Sequence, residues 1–422
     1  MKPERAFLPG DILLPKNCDN TKWSVVACDQ YTSEPSYWDA VEQFVGDAPS
    51  TYHMIVPEIY LEDPDVSERI EAVNQNMDRY LAQNILEEIS SFLYVERTLK
   101  NGKVRKGIVG VIDLEAYDYQ KGAQSMVRAT EGTVLERIPP RVKVRENASL
   151  ELPHIMILID DPSCSVIEPL GSRKQELRKV YDFPLMMDSG NVEGYALTAE
   201  MDEQILSQID RLADPDVFAK KYQAAGASPF VFAMGDGNHS LATAKTCYEN
   251  LKKTMPESEY RNHPARYALA EVVNLHDASL EFEAIHRVVF DVDPEYFLCE
   301  LKRYYDIAEG KKEGAQAFSY VTKDGAGTLS ILNPSSNLTV GSLQNFIDAY
   351  LKENGGRVDY IHGEDVVEKL ASEERRIGFI LPCMRKDELF QTVLTDGVLP
   401  RKTFSMGHAE DKRFYLECRK IK

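Results

Sequence analysis

The stretch AMGDGNHSLATAK, residues 233–245, follows the apolar run Phe230-Val231-Phe232 and opens a helical pattern. A strand, a glycine-containing turn and a helix start make a common anion site, because unpaired backbone N–H groups and the positive end of the helix dipole converge there. Gly235 and Gly237 allow close backbone approach, and Asn238, His239 and Ser240 add side-chain donors. The pattern is neither the dinucleotide fingerprint GxGxxG nor the phosphate loop GxxxxGK[ST]. A plainer reading of the same residues is that Asp236 or Asn238 caps a helix and His239 hydrogen-bonds a loop.

Around this stretch the chain alternates helices and strands. "WSVVACDQYTSEPSYWDAVEQF" reads as a strand, a turn and a helix capped by Thr32 or Ser33 with Pro35 in its first turn. A long helical pattern from Ser67 runs into a strand, and Asn101-Gly102 marks a hairpin to the strand that follows. His154 to Ile159 reads as a buried strand, residues 200–225 as helical, and 267–290 as one or two strands. From about 291 the pattern changes to helices at 294–305, 342–354 and 364–371, with strands in 316–333 and in RIGFILPC. The expected fold is α/β (mixed α+β), with a boundary near 290. Residues 1–290 form an N-terminal α/β region and 291–422 a smaller α+β subdomain whose last segment returns to the site.

A length of 422 residues suits two domains or one large elaborated unit. Hydrophobic content of 43%, charged content of 28% and a start (MKPERAFLPGDILLPK) without a continuous apolar segment lead us to expect a soluble cytoplasmic protein with no membrane partner. The cysteines number seven with no CxxC pair, so neither a disulfide framework nor a zinc ribbon is expected. A net charge of −19 argues against nucleic acid as a partner. One basic island breaks the acidic chain: Arg128, Arg137, Arg141, Lys143 and Arg145.

Several separated motifs carry a family resemblance. GDGNHSLATA resembles an Asp-Gly-His-His-Arg signature, LEFEAIHRVV a Leu-Pro-Thr-His-Arg segment, GVLPRKTFSM a Met-Pro-Pro-Lys-Ser-Thr segment, and RATEGT a His-Glu-x-Thr element. In this order they are similar to the bacterial and archaeal family called domain of unknown function 1015, which resembles the ParB and sulfiredoxin nucleotide-binding superfamily that includes free-serine kinases. The resemblance implies a ParB/sulfiredoxin-like core in which Gly237, Asn238 and His239 hold nucleotide phosphates. Two positions depart from the pattern. Ser240 stands where the family has arginine, so a bidentate phosphate donor is missing and Arg128, Arg287 or Lys402 would have to compensate. Asn238 stands where sulfiredoxins carry their cysteine, and Cys247 is too far along the helix to replace it, so sulfinic acid reduction is not expected.

The remaining candidates each have a second reading. Glu131, in Thr130-Glu131-Gly132-Thr133, matches the family as a base for a hydroxyl proton, or is a solvated surface carboxylate. His286 and Arg287 end a strand-like run where alternation sends them to opposite faces. Arg287 is then a phosphate ligand or the partner of a surface carboxylate. Lys402 and Thr403 are phosphate ligands brought back by the chain, or lie on a charged edge strand. Asp236 suits magnesium held mainly by phosphate oxygens, while Asp29 and Tyr31 fall in a segment resembling the family's Tyr-Asp element. Asp236, His239, His286 and His408 could assemble in space as a metal set.

The expected function is a small-molecule kinase using Mg2+ with ADP or ATP and a hydroxyl acceptor such as serine. Glu131, Asp236 and His239 are its expected catalytic residues; Gly235, Gly237, Asn238, His239, Ser240, Arg128, His286, Arg287, Lys402 and Thr403 bind phosphate. The alternatives are a ParB-like nucleotide switch without transfer, and a metal-dependent phosphohydrolase.

Overall fold

The computed structural model describes residues 5–26, 31, 34–152, 155–407 and 411–422. Asp29, Thr32, Ser33, His154 and His408, singled out from sequence, lie outside these residues. The chain divides into two compact units, Met1–Leu280 with His408–Lys422, and Glu281–Gly407.

The division falls before residue 290 for a physical reason. Strand His286–Phe290 pairs antiparallel with Arg357–Ile361 on one side and Arg376–Ile380 on the other, so its backbone bonds are satisfied by the chain that follows it. The segment 411–422 belongs to the first unit, where Phe414–Tyr415 pairs with Val25–Val26 and Arg419–Lys420 with Leu150–Glu151.

The first unit is built on a mixed sheet in the order Arg178–Pro184, Asn191–Ala196, Leu93–Thr98, Val104–Asp113, Tyr267–Asn274, Met156–Ile159, Phe232–Asp236, Val127–Arg128, Tyr117–Asp118. Its hairpin turns at Gly102, which has φ +81°, as the Asn-Gly pair predicts. The central strands read as apolar runs because both faces are covered. Leu93, Val95, Val109, Val111 and Leu269 enter one core, while Tyr94, Ile108, Ile112, Ala268 and Ala270 enter the other. Period-two alternation therefore divides one run of sequence between two cores.

The second unit has a six-stranded sheet in the order Ile307–Glu309, Gly325–Ile331, Gln316–Thr322, Arg376–Ile380, His286–Phe290, Arg357–Ile361, with every pair antiparallel. Phe297 of helix Pro294–Tyr304 meets Phe346 and Tyr350 of helix Thr339–Asn354, with ring centroids 5.0 and 4.5 Å apart. Its two ends are joined by a short ladder of Phe282–Ala284 against Phe404–Met406, where Phe282 and Phe404 stack at 4.1 Å.

Three local expectations change. Helix Pro35–Val45 has Glu34 as its N-cap, with no side-chain cap bond. The region 267–290 holds three strands, Tyr267–Asn274, Phe282–Ala284 and His286–Phe290, because Asp277 Oδ1 accepts from Ser279 N–H and Oγ–H and turns the chain after the first. Lys402, at φ +53°, precedes the strand Phe404–Met406 rather than lying within it.

Candidate functional site

Strand Phe232–Asp236 lies between Met156–Ile159, antiparallel, and Val127–Arg128, parallel. It ends at Asp236, and Gly237 turns the chain into helix Asn238–Lys252. Gly237 has φ +78°, and a Cβ there would come within 3.1 Å of the Ile155 Cα, so conformation and space both call for glycine.

Gly237 is itself the N-cap, and the helix has no side-chain cap. Asp236 Oδ1 accepts from the Gly237 N–H at 2.8 Å instead of reaching into the first helical turn. Neither Asp236 nor Asn238 caps the helix, contrary to the plainer reading of the sequence. The first-turn N–H groups keep their positive potential.

Two side-chain atoms in this turn, Asn238 Oδ1 and His239 Nε2, are buried and have no hydrogen-bond partner among the described residues. Buried polar atoms of this kind are uncommon and cost stability unless something satisfies them. Burial holds the His239 imidazole below its ordinary pKa, and the positive charges of Arg141 and Arg137 push the same way. The ring is neutral at pH 7, with one N–H donor and one acceptor nitrogen.

The basic island supplies one flank. Helix Ile138–Arg145 packs against helix Asn238–Lys252, and Arg141 pairs with Glu58 while donating to the Arg137 carbonyl at 2.7 Å. On the same sheet, Thr130 Oγ donates to the Met234 carbonyl at 2.7 Å, which brings the segment carrying half-buried Glu131 alongside the end of the strand.

A further cation was not expected from sequence. Lys412 Nζ lies 3.4 Å from Asp236 Oδ2 and the residue is only 8% exposed. The lysine that meets Asp236 is thus ten residues beyond Lys402. The available signal was the charge pair Lys412-Arg413 set against the apolar stretch Phe414-Tyr415-Leu416, an arrangement that favours burial with partners.

Several predicted ligands are engaged elsewhere. Arg128 donates to the carbonyls of Ser125 at 2.8 Å and Ser228 at 3.1 Å and lies over the Phe230 ring, and burial pushes its pKa down to about 10. In the second unit Arg287 is fully buried, donating to the carbonyls of Ile285 and Arg401 and to Gln344 Oε1. His286 is buried as well, and its Nδ1 accepts from the Leu381 N–H at 3.2 Å. The alternation of these two side chains therefore exposes neither. Thr403 Oγ donates to the Pro400 carbonyl.

Among the described residues no group of three His, Cys, Asp or Glu could hold a metal ion, so the histidine set has no supporting geometry there. The six described cysteines are free. A groove of about 520 Å³ bordered by Tyr117, Asp118, Thr246 and Asn250 runs beside the later turns of the helix, not at its start. No helix among the described residues is long and apolar enough to cross a membrane.

The family described as a protein of unknown function, DUF1015, matches residues 13–350, well over half of the sequence. The chain belongs to that family. No curated protein matches this family member. Among solved structures it is similar to a conserved hypothetical protein from Pyrococcus furiosus, at 11% identity and a TM-score of 0.37 over 74% of this chain and 94% of the other. A free serine kinase in complex with AMP is similar at 10% identity and a TM-score of 0.38, over 74% and 90%. SbnI with C-terminal truncation from Staphylococcus aureus is similar at 9% identity and a TM-score of 0.35, over 71% and 82%.

Proposed function

We propose that the turn Gly235–Ser240 binds the phosphates of ADP or ATP and that the protein transfers a phosphoryl group to a small hydroxyl compound, with serine as the first acceptor to test. The observation that carries this reading is the pairing of a helix start without a side-chain cap with the buried, unpartnered ring nitrogen Nε2 of His239. An anion at that place would receive the first-turn N–H groups and a donor from the neutral imidazole, and the cations Arg137, Arg141 and Lys412 favour its charge.

In the reaction the acceptor hydroxyl oxygen forms a bond to the terminal phosphorus as the bond from that phosphorus to the bridging oxygen breaks. The nucleotide leaves one phosphate shorter, and the hydroxyl proton passes to the carboxylate of Glu131. The helix start and the imidazole hold the phosphoryl oxygens, so that most of the protein's work is orientation and charge stabilisation. A magnesium ion carried with the phosphates would neutralise charge there. Asp236 fits it as one carboxylate beside phosphate oxygens.

The test is transfer of labelled phosphate from ATP or ADP to serine and related hydroxyl compounds, alongside nucleotide binding measured by thermal shift. Glu131→Gln should bind nucleotide as the wild type does and transfer at least a hundredfold more slowly, in the range typical of a lost general base. Full transfer by Glu131→Gln refutes the role of Glu131, and absence of any nucleotide-induced shift in the wild type refutes the reading as a whole.

A further inference from the structure

The cation meeting Asp236 is carried by a segment that the rest of the first unit fixes with unusual care. The carbonyl of Lys412 accepts from Arg97 Nη1, and that of Asp411 accepts from Arg105 Nη1 at 2.8 Å. Both arginines are buried, and Arg97 also bonds the Ser189 carbonyl at 3.1 Å and lies over the Phe414 ring. Beyond this point Phe414–Tyr415 pairs with Val25–Val26, Trp23 Nε1 donates to the Leu416 carbonyl at 2.9 Å, and Arg413 pairs with Glu271 and Glu417. Bonds from arginine to main-chain carbonyls fix the path of the backbone whatever side chain it carries. Two adjacent carbonyls held in this way fix where the Lys412 side chain starts.

The ammonium itself is loosely held by comparison. Its ion pair to Asp236 is 3.4 Å long, beyond the usual length of a charge-assisted hydrogen bond, and among the described residues it makes no shorter polar contact. An ammonium carries three donors, so acceptor capacity remains. The carboxylate it faces has its other oxygen on the Gly237 N–H, at the turn that leads into the uncapped helix.

We infer that Lys412 is a phosphate-binding residue that exchanges Asp236 for the terminal phosphoryl group when nucleotide arrives, and that Arg97 and Arg105 are its positioning residues. This rests on the reading of the turn as a nucleotide site. Lys412 supplies the cation that Ser240 does not, from a different part of the chain. The exchange frees one oxygen of Asp236 for the magnesium ion that accompanies the phosphates, so one ion pair serves as the resting state of two ligand contacts.

The experiment compares affinities for AMP, ADP and ATP, each with magnesium, in the full-length wild type and in Lys412→Gln, Lys412→Arg and Arg105→Gln, with folding checked by circular dichroism. For Lys412→Gln the loss should grow from AMP to ATP, with AMP changed by less than about twofold and ATP weakened by roughly tenfold or more, the usual range for a lost charged hydrogen bond. Lys412→Arg should recover most of the ATP affinity, and Lys412→Met, which removes the charge and keeps the length of the side chain, serves in place of Lys412→Gln should that variant not fold. Arg105→Gln should show the same graded loss, because the carbonyl next to Lys412 is released; an unchanged profile there removes its positioning role. Equal loss for all three nucleotides, or none for ATP, overturns the role of Lys412 and leaves the nucleotide reading standing. A wild type that binds none of the three overturns both.

Discussion

The turn at Gly237 is half-buried and the segment Asp411–Arg419 is buried, both in the same unit, and Lys412 and Asp236 link them. They differ in whether their buried groups meet opposite charge, although Arg413 Nε in the segment also has no hydrogen-bond partner among the described residues. In the segment, Arg413 faces Glu271 and Glu417, Tyr181 donates to Glu417 at 2.7 Å, and Arg419 pairs with Glu151, which also pairs with Arg145. In the turn, Asn238 Oδ1 and His239 Nε2 have no hydrogen-bond partner among the described residues. Paired buried charges specify a chain path, whereas unpaired buried donors and acceptors are what a ligand site retains at a cost to stability.

The largest effect should come from breaking the ion-paired region. Glu271 is 3% exposed and faces Arg105 at 3.9 Å and Arg413 at 3.3 Å, so Glu271→Ala leaves two buried guanidinium groups short of a counter-charge. Loss of one partner from a buried pair typically costs about 3–5 kcal/mol, read as a lower urea midpoint. A midpoint like that of the wild type would mean that the network does not hold the segment.

His239→Ala sharpens the contrast from the other side. It removes a group that makes no side-chain bond through Nε2, so stability should change by about 1 kcal/mol or less. The nucleotide-induced rise in melting temperature should nevertheless disappear. A large loss of stability with the thermal shift retained would make His239 a structural residue and erase the distinction between the two regions.

The smallest effect is a dependence on pH. His239 has its folded pKa depressed by burial and by Arg141 and Arg137, so the unfolded chain binds the proton more readily. Its contribution to stability is fully present above the ordinary value of 6.5 and is lost as pH falls below it towards the folded value. His53, His263 and His286 are depressed in the same direction. Unfolding midpoints measured from pH 7 to pH 5 should therefore fall, and fall less steeply in His239→Ala. Identical slopes in the two proteins would show that the imidazole does not sit in the environment described.

Local pattern carried much of this architecture. Helix Glu364–Ala371 is where the spacing predicts it, and helix Pro294–Tyr304 ends one residue early, because caps, periodicity and flanking breakers all act within a few residues. The Gly102 hairpin is legible for the same reason. The cap at Gly237 was not. Asp236 and Asn238 are common capping residues, and the positive φ together with the nearness of Ile155, just before a neighbouring strand, explains why glycine takes the position. Lys412 was missed because its approach to Asp236 depends on where a remote segment is threaded, which periodicity does not encode.

The short ladder between Phe282–Ala284 and Phe404–Met406 has a consequence for how the first unit closes. Leu13 and Cys418 exchange backbone hydrogen bonds of 2.7 and 3.0 Å although 405 residues separate them in sequence. Closing so long a loop is entropically costly, and the cost falls as the effective loop shortens. Once Phe282 is registered against Met406, the intervening chain is spanned by a single paired step, and the two stretches of the first unit behave as if joined by a short connector. Because each doubling of a loop costs only about 0.6 kcal/mol, that shortening, by less than half, saves less than this amount, and the burial and pairing of the segment must hold it in place.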